Sequence, residues 1–367
     1  MSSKSIIIIS NTFYPAETGG PDNSTFWLSK VLSGKYEVYV LSTNKGLEKN
    51  NLIKNNIVLN KKNNFNHNLK VYYHTTSLRL FKSFLNLLLQ KKGRIVILNS
   101  IFLKKNLFFI LFSFIFKVKT YLYTRGELDN GALKFKSIKK HIYLRFLKLY
   151  IKEVVFVSTT LQEKAFNKKF FNNKNIVIPN LIDKKYEKID TKKNNYIYFG
   201  RIHPKKNIEY IIKGFIKFKK IPNKQKLYVV GKIDDYNYYK KIKQMAYKNK
   251  DIIFQNPVDG KKKYKYLSRF KALIITSLGE NFGNVIIESL SVGTVCIISS
   301  NLPWNNIEKN KVGFHVNISD TSSLSATLSN IDSLNKKDFD IMSKNCEIYL
   351  KKYFNKSTIE RKILNSF

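Results

Sequence analysis

The clearest signal in this chain is the segment Leu278-Gly279-Glu280-Asn281-Phe282-Gly283-Asn284-Val285-Ile286-Ile287-Glu288. The apolar run from Ala272 to Thr276 precedes it and predicts a buried strand, and a helix is predicted to begin near Asn284. A glycine-containing loop therefore lies at a helix N-terminus, where the first backbone N–H groups lack partners within the helix and the helix dipole is positive. The segment predicts a binding site for an anion such as phosphate.

Two carboxylates flank this predicted anion site. Glu280 lies in the loop beside the phosphate, and Glu288 lies about one turn into the helix, where it can face the same crevice. Two carboxylates beside a diphosphate pocket indicate a nucleotide-sugar site. If the pair stood alone, solvated helix charges would be the better interpretation.

A second phosphate-binding candidate is Gly200-Arg201-Ile202-His203-Pro204-Lys205-Lys206-Asn207, which also follows a predicted strand and opens a helix. The guanidinium fork of Arg201 and the point charge of Lys206 suit the two phosphates of a nucleoside diphosphate. Open α/β sheets bind their ligands beyond the carboxyl ends of the strands, where this segment lies. The alternative, solvated surface charge, applies to any single lysine in so basic a chain.

The organisation of the chain is two runs of alternating strands and helices, which predicts an α/β protein with two mainly parallel sheets covered on both faces. The segment from Leu181 to Asn194 is rich in Lys, Asp and Asn and is predicted to be the hinge. We therefore expect a first Rossmann-like domain at 1–183, a second at 195–338 and C-terminal helices at 339–367.

The composition favours a globular protein but leaves the meaning of its charge open. The formal net charge is +41, from 66 Lys and Arg against 25 Asp and Glu, which is typical of proteins that bind nucleic acid or an anionic membrane. Lys, Asn and Ile are abundant together in every segment, however, so a compositional bias explains the charge equally well. The two cysteines provide neither a disulfide framework nor metal-ligand spacing, which fits a reducing cytoplasm.

Two apolar segments bear on membrane contact. The ten residues Leu107–Phe116 are about half the length needed to span a bilayer, so a buried helix is predicted. A helix is also predicted over Leu133–Lys152, with an apolar stripe flanked only by basic residues; the stripe consists of Phe135, Ile138, Ile142, Phe146 and Leu149. Such a helix can lie on an anionic membrane, but packing of the stripe on the sheet is the favoured interpretation.

The 200–207 and 278–288 segments, together with Pro303-Trp304, resemble the retaining GT-B glycosyltransferases of family GT4. The resemblance covers most of the chain, since further family elements occur in the family's order. These elements are Gly19-Gly20, Ser158-Thr159-Thr160-Leu161-Gln162-Glu163 and Ile178-Pro179-Asn180-Leu181-Ile182-Asp183.

The resemblance implies two Rossmann-like domains facing each other across a cleft, with the first binding the acceptor and the second a UDP- or GDP-linked sugar. The last C-terminal residues would cross back onto the first domain. Neither a cofactor nor a metal is expected, because cationic side chains and helix N-termini can neutralise the leaving diphosphate.

The implied residue roles are as follows. Arg201 and Lys206, in the loop that begins at Gly200, hold the diphosphate; Glu280 contacts the transferred sugar, and Glu288 binds the ribose. Backbone groups of Phe282, Gly283, Asn284 and Val285 meet the phosphate and sugar. Gly20 faces the donor from the first domain, or Gly19-Gly20 forms only a turn ahead of the helix that begins at Pro21.

One segment departs from the family pattern. Many relatives carry a histidine near the end of a first-domain strand, whereas the corresponding run here, Tyr121 to Leu133, contains none. The run resembles a subset of the family with an Arg-Gly-Glu loop, formed here by Arg125, Gly126 and Glu127. Arg125 or Glu127 is therefore expected to stabilise charge or contact the acceptor, with a loop salt bridge as the alternative.

The expected function is sugar transfer with retention to a growing, lipid-linked surface polysaccharide or lipopolysaccharide. The protein is expected in the cytoplasm, with peripheral contact at the inner face of an anionic membrane and no nucleic-acid partner. Two alternatives stay open: a nucleic-acid-binding protein that uses the positive charge, and a GT-B nucleotide-sugar epimerase.

Overall fold

The computed structural model describes residues 5–16, 19–90, 95–133, 137–181, 194–219, 225–258 and 260–367. The chain forms two compact units. The first comprises residues 1–183 and 356–367, and the second comprises residues 184–355. Most of the predicted hinge, residues 182–193, lies outside the described ranges.

The first unit is built on a sheet in which the described strands run in the order β3-β4-β2-β1-β5-β6-β7-β8. Only the β3–β4 pair is antiparallel. The strands are β1 (Ser5–Ile9), β2 (Glu37–Thr43), β3 (Lys62–Asn64), β4 (Leu69–His74), β5 (Ile95–Asn99), β6 (Lys119–Tyr123), β7 (Val155–Ser158) and β8 (Asn175–Val177). β1 is buried along its whole length because helices cover both faces of a parallel sheet, which explains its uninterrupted run of isoleucines.

The helices of this unit are α1 (Gly20–Leu32), α2 (Lys49–Lys54), α3 (Ser77–Leu89), α4 (Asn106–Ile115), α5 (Asn130–Leu133), α6 (Ser137–Leu147), α7 (Leu161–Phe170) and, from the C-terminus, α14 (Lys356–Ser366). α14 packs against α1. The Tyr121 hydroxyl donates a hydrogen bond of 2.9 Å to the carbonyl of Ser366, and the ring of Tyr121 lies 4.7 Å from that of Phe367.

The second unit is built on a sheet whose described strands are all parallel, in the order β11-β10-β9-β12-β13-β14. The strands are β9 (Asn195–Phe199), β10 (Leu227–Val230), β11 (Ile252–Gln255), β12 (Phe270–Ile275), β13 (Val295–Ser299) and β14 (Gly313–Val316). A short 3-10 helix, Pro204–Lys206, precedes the helices α8 (Ile208–Phe218), α9 (Tyr236–Ala246), α10 (Lys261–Leu267), α11 (Asn284–Leu290), α12 (Thr321–Ser333) and α13 (Lys336–Tyr353).

The order in which strands are added to this second sheet changes side between β9 and β12. Successive connections build outward from β9 to β10 and β11 on one side, and from β12 to β13 and β14 on the other. Such a reversal opens a space beyond the carboxyl ends of the two strands, where ligands of open α/β sheets bind. The predicted class, α/β with two Rossmann-like domains, is confirmed.

The apolar stripe predicted to pack on the sheet is instead exposed. α6 is shorter than predicted, and Ile138, Ile142, Phe146 and Leu149 lie at the surface. The residues that face the sheet are Leu144, Leu147 and Ile151, a second apolar stripe with spacings of three and four. Phe135, with its flanking residues 134 and 136, lies outside the described ranges.

The prediction of a buried helix at Leu107–Phe116 is wrong in part. The helix forms as α4, and Phe109 and Ile110 are buried, but Phe108 and Phe114 are exposed. A sheet covers one side of a helix only, so an all-round apolar helix is buried only if something covers its other side.

Candidate active site

Two loops that were predicted separately lie side by side at the reversal between β9 and β12. Gly200 to Asn207 leaves the end of β9, and Thr276 to Gly283 leaves the end of β12. The backbone N–H of Leu278 donates to the carbonyl of Lys205 at 2.9 Å. The Thr276 hydroxyl donates to the carbonyl of Asn207 at 3.1 Å. These bonds hold the Lys206 loop and the Glu280 loop together as one surface.

Lys206 and Glu280 form an ion pair on this surface, between Nζ and Oε1. The Ser277 hydroxyl donates to the same carboxylate oxygen at 2.7 Å. The two side chains are only 18% and 16% exposed. Burial alone would raise the pKa of the Glu280 carboxyl, but the charge of Lys206 and the hydrogen bonds from Lys206 and Ser277 outweigh it, so the pKa is lowered. Glu280 is therefore ionised at neutral pH.

This lowered pKa predicts how the stability of the second unit depends on pH. A carboxyl whose folded-state pKa is lowered stabilises the fold above its ordinary value, 4.5 here, and loses that effect as the pH falls through the folded-state pKa. We expect Glu280→Gln to reduce the free energy of unfolding by about 1–3 kcal/mol at neutral pH and by much less at acid pH. Chemical denaturation across a pH series measures the difference.

The matched control for that series is Glu347→Gln, because Glu347 forms an exposed helical pair with Lys351 at 2.7 Å. An exposed pair of this kind contributes roughly 0.3–0.5 kcal/mol, so its removal should change little at any pH. A stability loss for Glu280→Gln that is the same at every pH would contradict the ion-pair assignment.

Arg201 occupies the same loop as Lys206 but has a different partner. Its guanidinium Nη1 lies 2.8 Å from Oδ2 of Asp234, and its side chain is 55% exposed. Burial is the main reason that the pKa of His203 is lowered, with Arg201 and Lys206 adding to the shift and Asp234 opposing it. The two cations are thus within electrostatic reach of one histidine, but only Lys206 pairs with Glu280.

Glu288 is buried in α11 and pairs with a cation that the sequence analysis did not single out. Nζ of Lys263 lies 2.6 Å from Oε1 of Glu288. Burial raises the pKa of the Glu288 carboxyl, and the Lys263 ammonium opposes that rise only in part. Lys263 carries no sequence signal, because it stands in the run Lys261-Lys262-Lys263 in a lysine-rich chain.

The turn before α11 is fixed by a glycine and a tryptophan. Gly283 has a φ of 74°, which strains other residues, and a Cβ added there would lie 2.9 Å from Cδ1 of Ile286, so the position favours glycine. Nε1 of Trp304 donates to the carbonyl of Phe282 at 2.7 Å, and the ring of Phe282 packs 5.6 Å from that of Trp304. The Phe282 side chain is buried, so only its backbone is left to meet a ligand. Asn284 and Val285 begin α11 directly beyond this turn.

Trp304→Phe tests the hydrogen bond from Trp304 to Phe282, which we call the anchor of the loop. The substitution keeps an aromatic ring but leaves the buried carbonyl of Phe282 without its indole donor, so we expect the free energy of unfolding to fall by about 1–3 kcal/mol. We also expect weaker nucleotide binding, since the 278–283 loop loses its support. Calorimetry on the variant measures both effects. Trp27→Phe is the control, because Trp27 is the other tryptophan and lies partly exposed on α1; equal effects in the two variants would contradict the anchor.

Arg125 lies at the end of β6 in the first unit, with a φ of 57°. Its guanidinium donates to Oδ1 of Asn99 (2.9 Å from Nε), to the Ser24 hydroxyl (2.9 Å) and to the Thr25 hydroxyl (3.0 Å). It also lies 4.6 Å from the ring centre of Tyr123. These partners are neutral, so the loop salt bridge considered for this residue is not what holds it. Burial lowers its pKa, and nearby groups oppose that shift.

Glu127 is hydrogen-bonded to the loop that follows β5. Its carboxylate accepts hydrogen bonds from the Ser100 hydroxyl (2.7 Å) and from the backbone N–H groups of Ile101 (2.7 Å) and Phe102 (3.1 Å). Burial raises the pKa of Glu127, and these hydrogen bonds oppose the rise. The geometry favours a role in holding the loop over contact with an acceptor.

Glu163, in the Ser158–Glu163 segment, holds the Arg125 turn from the other side. Its carboxylate accepts hydrogen bonds from the Thr124 hydroxyl, the Gly126 N–H (both 2.7 Å) and the Thr159 N–H (2.6 Å). Sequence reasoning gave this glutamate no role of its own. Gly20 is the exposed first residue of α1, after Gly19 with a φ of 150°.

In the described part of the chain, no three His, Cys, Asp or Glu side chains are grouped so that they could hold a metal ion. None of the helices described is both long enough and apolar enough to cross a membrane.

The fold of the chain is that of the GT-B proteins, as three solved structures illustrate. Sucrose-phosphate synthase from Thermosynechococcus elongatus superposes with a TM-score of 0.76 at 15% identity, over 99% of this chain and 98% of that one. HepE from Anabaena, solved with UDP-glucose, gives 0.76 at 14% identity over 99% and 98%. WaaG, a glycosyltransferase involved in lipopolysaccharide biosynthesis, gives 0.69 at 12% identity over 98% of each chain.

The second unit also resembles a known family in sequence. Residues 180–347, a little under half of the chain, match the family described as glycosyl transferases group 1. The resemblance drawn from the two loop segments is confirmed at this level. No curated protein sequence matches the chain.

Proposed function

We propose that this protein is a retaining, metal-independent glycosyltransferase that transfers a hexose from a nucleoside-diphosphate donor to a growing, lipid-linked surface glycan. The observation that carries the proposal is the Lys206–Glu280 pair at the reversal between β9 and β12, within a glycosyl transferases group 1 domain. A cation for the diphosphate and a carboxylate for the sugar lie next to each other where open α/β sheets bind ligands.

Lys206 can serve both partners at once. An ammonium group has three N–H donors, and Glu280 takes one of them, so a phosphate oxygen can take another. Charge accumulates on the diphosphate as its bond to the anomeric carbon breaks, and Lys206 stabilises that charge in a partly dehydrated site. Arg201, being exposed and paired with Asp234, can exchange that weak surface contact for a phosphate.

The remaining roles belong to the same proposal and follow the family resemblance. Ionised Glu280 accepts hydrogen bonds from hydroxyls of the transferred sugar, and Glu288 binds the ribose hydroxyls. The backbone of Phe282 to Val285 meets the phosphate and sugar, and Gly200 and Gly20 allow close approach of the donor. Arg125, which lines a small pocket with Ser24 and Asn180, stabilises charge or contacts the acceptor, while Glu127 and Glu163 hold its loop.

The donor is tested first by thermal shift with UDP, GDP and their glucose and mannose conjugates. A ligand at 100 times its dissociation constant stabilises the native state by about 2.7 kcal/mol, so one nucleotide series should raise the melting temperature clearly. UDP is the first choice, because HepE binds UDP-glucose in the same fold. If neither series shifts the transition, the proposed donor site is wrong.

The reaction is tested next with a labelled donor and a lipid extract, with and without EDTA. We expect labelled lipid-linked product of retained anomeric configuration, and the same rate in EDTA. Conversion of the donor without an acceptor would indicate an epimerase instead. Loss of transfer in EDTA would contradict metal independence alone.

A further inference from the structure

The first unit carries a large apolar surface formed by α4 and by α6 with the turn that follows it. We call it the apolar ridge. Its most exposed members on the two helices are Phe114 (66%) on α4 and Ile138 (76%) on α6. The complete set of large exposed apolar side chains is Phe108, Leu111, Phe114, Ile115 and Phe116 on the α4 side, and Ile138, Ile142, Phe146, Leu149 and Tyr150 on the α6 side.

The two halves of the ridge face the same way because the two helices lie on the same face of the sheet. Phe109 and Ile110 of α4 and Leu144 and Leu147 of α6 are buried in one core cluster with the strands. The side chains of the ridge lie on the opposite sides of the helices. The ring of Phe102, just before α4, packs 6.0 Å from that of Tyr143 of α6, which places the helices as neighbours.

So many exposed apolar side chains in one place are unusual for a protein surface that faces water. A surface helix normally carries polar residues on the side away from the core, whereas α4 is apolar on both sides. Contiguous exposed apolar patches of this kind mark sites of protein or membrane contact. Four of the ten side chains are phenylalanines, which are large enough to enter the boundary between lipid headgroups and acyl chains.

The rim of the ridge is basic. Exposed cations border both helices, and the sequence contains no Asp or Glu in 104–117 or in 138–152. The exposed cations are Lys104, Lys117, Lys139, Arg145, Lys148 and Lys152. Each lysine or arginine close to an anionic bilayer strengthens binding to it. A nucleic acid would also attract these charges, and its bases can stack on the aromatic rings, but only a lipid bilayer also offers an acyl-chain layer for the aliphatic side chains.

We propose that the apolar ridge docks on the surface of an anionic lipid bilayer, with its apolar side chains in the headgroup boundary and its basic rim against the headgroups. The choice of a membrane rests on the proposed function, whose acceptor is lipid-linked. The ridge contains none of the residues assigned to the donor or to the Arg125 loop, so binding and transfer can be measured independently.

The test is flotation with vesicles of phosphatidylcholine alone and of phosphatidylcholine mixed with phosphatidylglycerol. We expect wild-type protein to bind the anionic vesicles at least about tenfold more than the neutral ones, and high salt to weaken that binding. Phe114→Asp with Ile142→Asp should lower binding at least about tenfold, because it places two charges among the inserted side chains. Lys139→Glu with Lys148→Glu should remove the preference for anionic lipid.

The controls are Tyr247→Asp and Lys344→Glu in the second unit. Tyr247 is 86% exposed and Lys344 lies on the surface of α13, so each repeats the chemistry of a ridge substitution elsewhere. Absence of vesicle binding, equal binding to both vesicle types, or equal losses in controls and ridge variants would overturn the proposal. The proposal would also be overturned if the wild-type protein were a dimer and the aspartate variant became monomeric without a change in vesicle binding. The ridge would then serve self-association.

Sugar transfer to a water-soluble acceptor analogue separates this proposal from the proposed function. Ridge variants that lose vesicle binding should keep full transfer to that analogue. If wild-type protein binds vesicles as expected but transfers no sugar, the proposed function fails and the docking surface stands. If it transfers sugar but shows no preference for anionic vesicles, only the docking surface fails.

Discussion

Lys206→Ala is expected to lower the rate of sugar transfer by about 10²- to 10³-fold. The substitution removes the cation that pairs with Glu280 and that we assign, with Arg201, to the leaving diphosphate. Loss of a single preorganised charge-stabilising donor typically has this effect on turnover. Steady-state kinetics with the donor identified by thermal shift measure it. Lys213→Ala is the matched control, since Lys213 is exposed on α8; equal losses in both variants would contradict the assignment.

Stability distinguishes a catalytic role for Lys206 from a structural one. Without Lys206, the Glu280 carboxylate keeps only the Ser277 hydroxyl as a partner among the contacts described above, so the single variant should lose about 1–3 kcal/mol of unfolding free energy. Removing both partners should restore much of that stability, because no buried charge is left unpaired. Transfer in the double variant should stay at least about 10²-fold slower than in the wild type. Full activity in folded Lys206→Ala or Glu280→Ala would show that the pair does not serve the reaction.

Gly231→Ala is expected to have the largest effect on stability, a loss of about 4 kcal/mol or more of unfolding free energy. Gly231 follows β10 with a φ of 156°, and an added Cβ would lie 1.8 Å from the carbonyl oxygen of Gly200. Neither backbone can move away easily, because the N–H of Gly200 donates to Val230 at 3.0 Å and β9 pairs with β10 along its length. Chemical denaturation measures the loss, and surviving protein should also bind the donor more weakly, since the displaced segment leads into Arg201.

Gly260→Ala is the control for this prediction. Gly260 also has a positive φ, 61°, but an added Cβ would meet nothing within 4 Å. The substitution therefore carries only the strain of a backbone conformation, φ 61° and ψ -145°, that glycine adopts and other residues rarely do, about 1–3 kcal/mol. Similar losses in the two variants would mean that the close approach of Gly231 to Gly200 has little effect.

Much of the candidate site follows from local pattern. The strand, loop and helix around Glu280 and those around Lys206 are predicted because each depends on hydrophobic periodicity and glycine placement within about a dozen residues. The role of Trp304 is harder to predict from the sequence. Pro303-Trp304 contributes to the family resemblance, but the hydrogen bond from its indole to Phe282 spans 22 residues and reflects no local pattern.

Electrostatic partners could not be predicted from the sequence. Lys206 and Glu280 are 74 positions apart, and Lys263 and Glu288 are 25 apart, among 66 lysines and arginines that composition alone cannot rank. The same limit applies to Arg125, for which a salt bridge was considered and neutral partners were found. Charge partners depend on which strand ends become neighbours, and that order is a property of the whole sheet.

The sequence specifies the α/β class, the two runs of strands and helices, and the loops that carry the cation and the carboxylate, because these features depend on neighbours along the chain. The three-dimensional packing specifies which lysine meets which glutamate and which face of an apolar helix is covered. In α6, two stripes compete for the sheet, and Leu144 and Leu147 occupy the core while Ile138 and Ile142 face outward. Both stripes satisfy helical periodicity, so only the position of the helix against the strands selects between them.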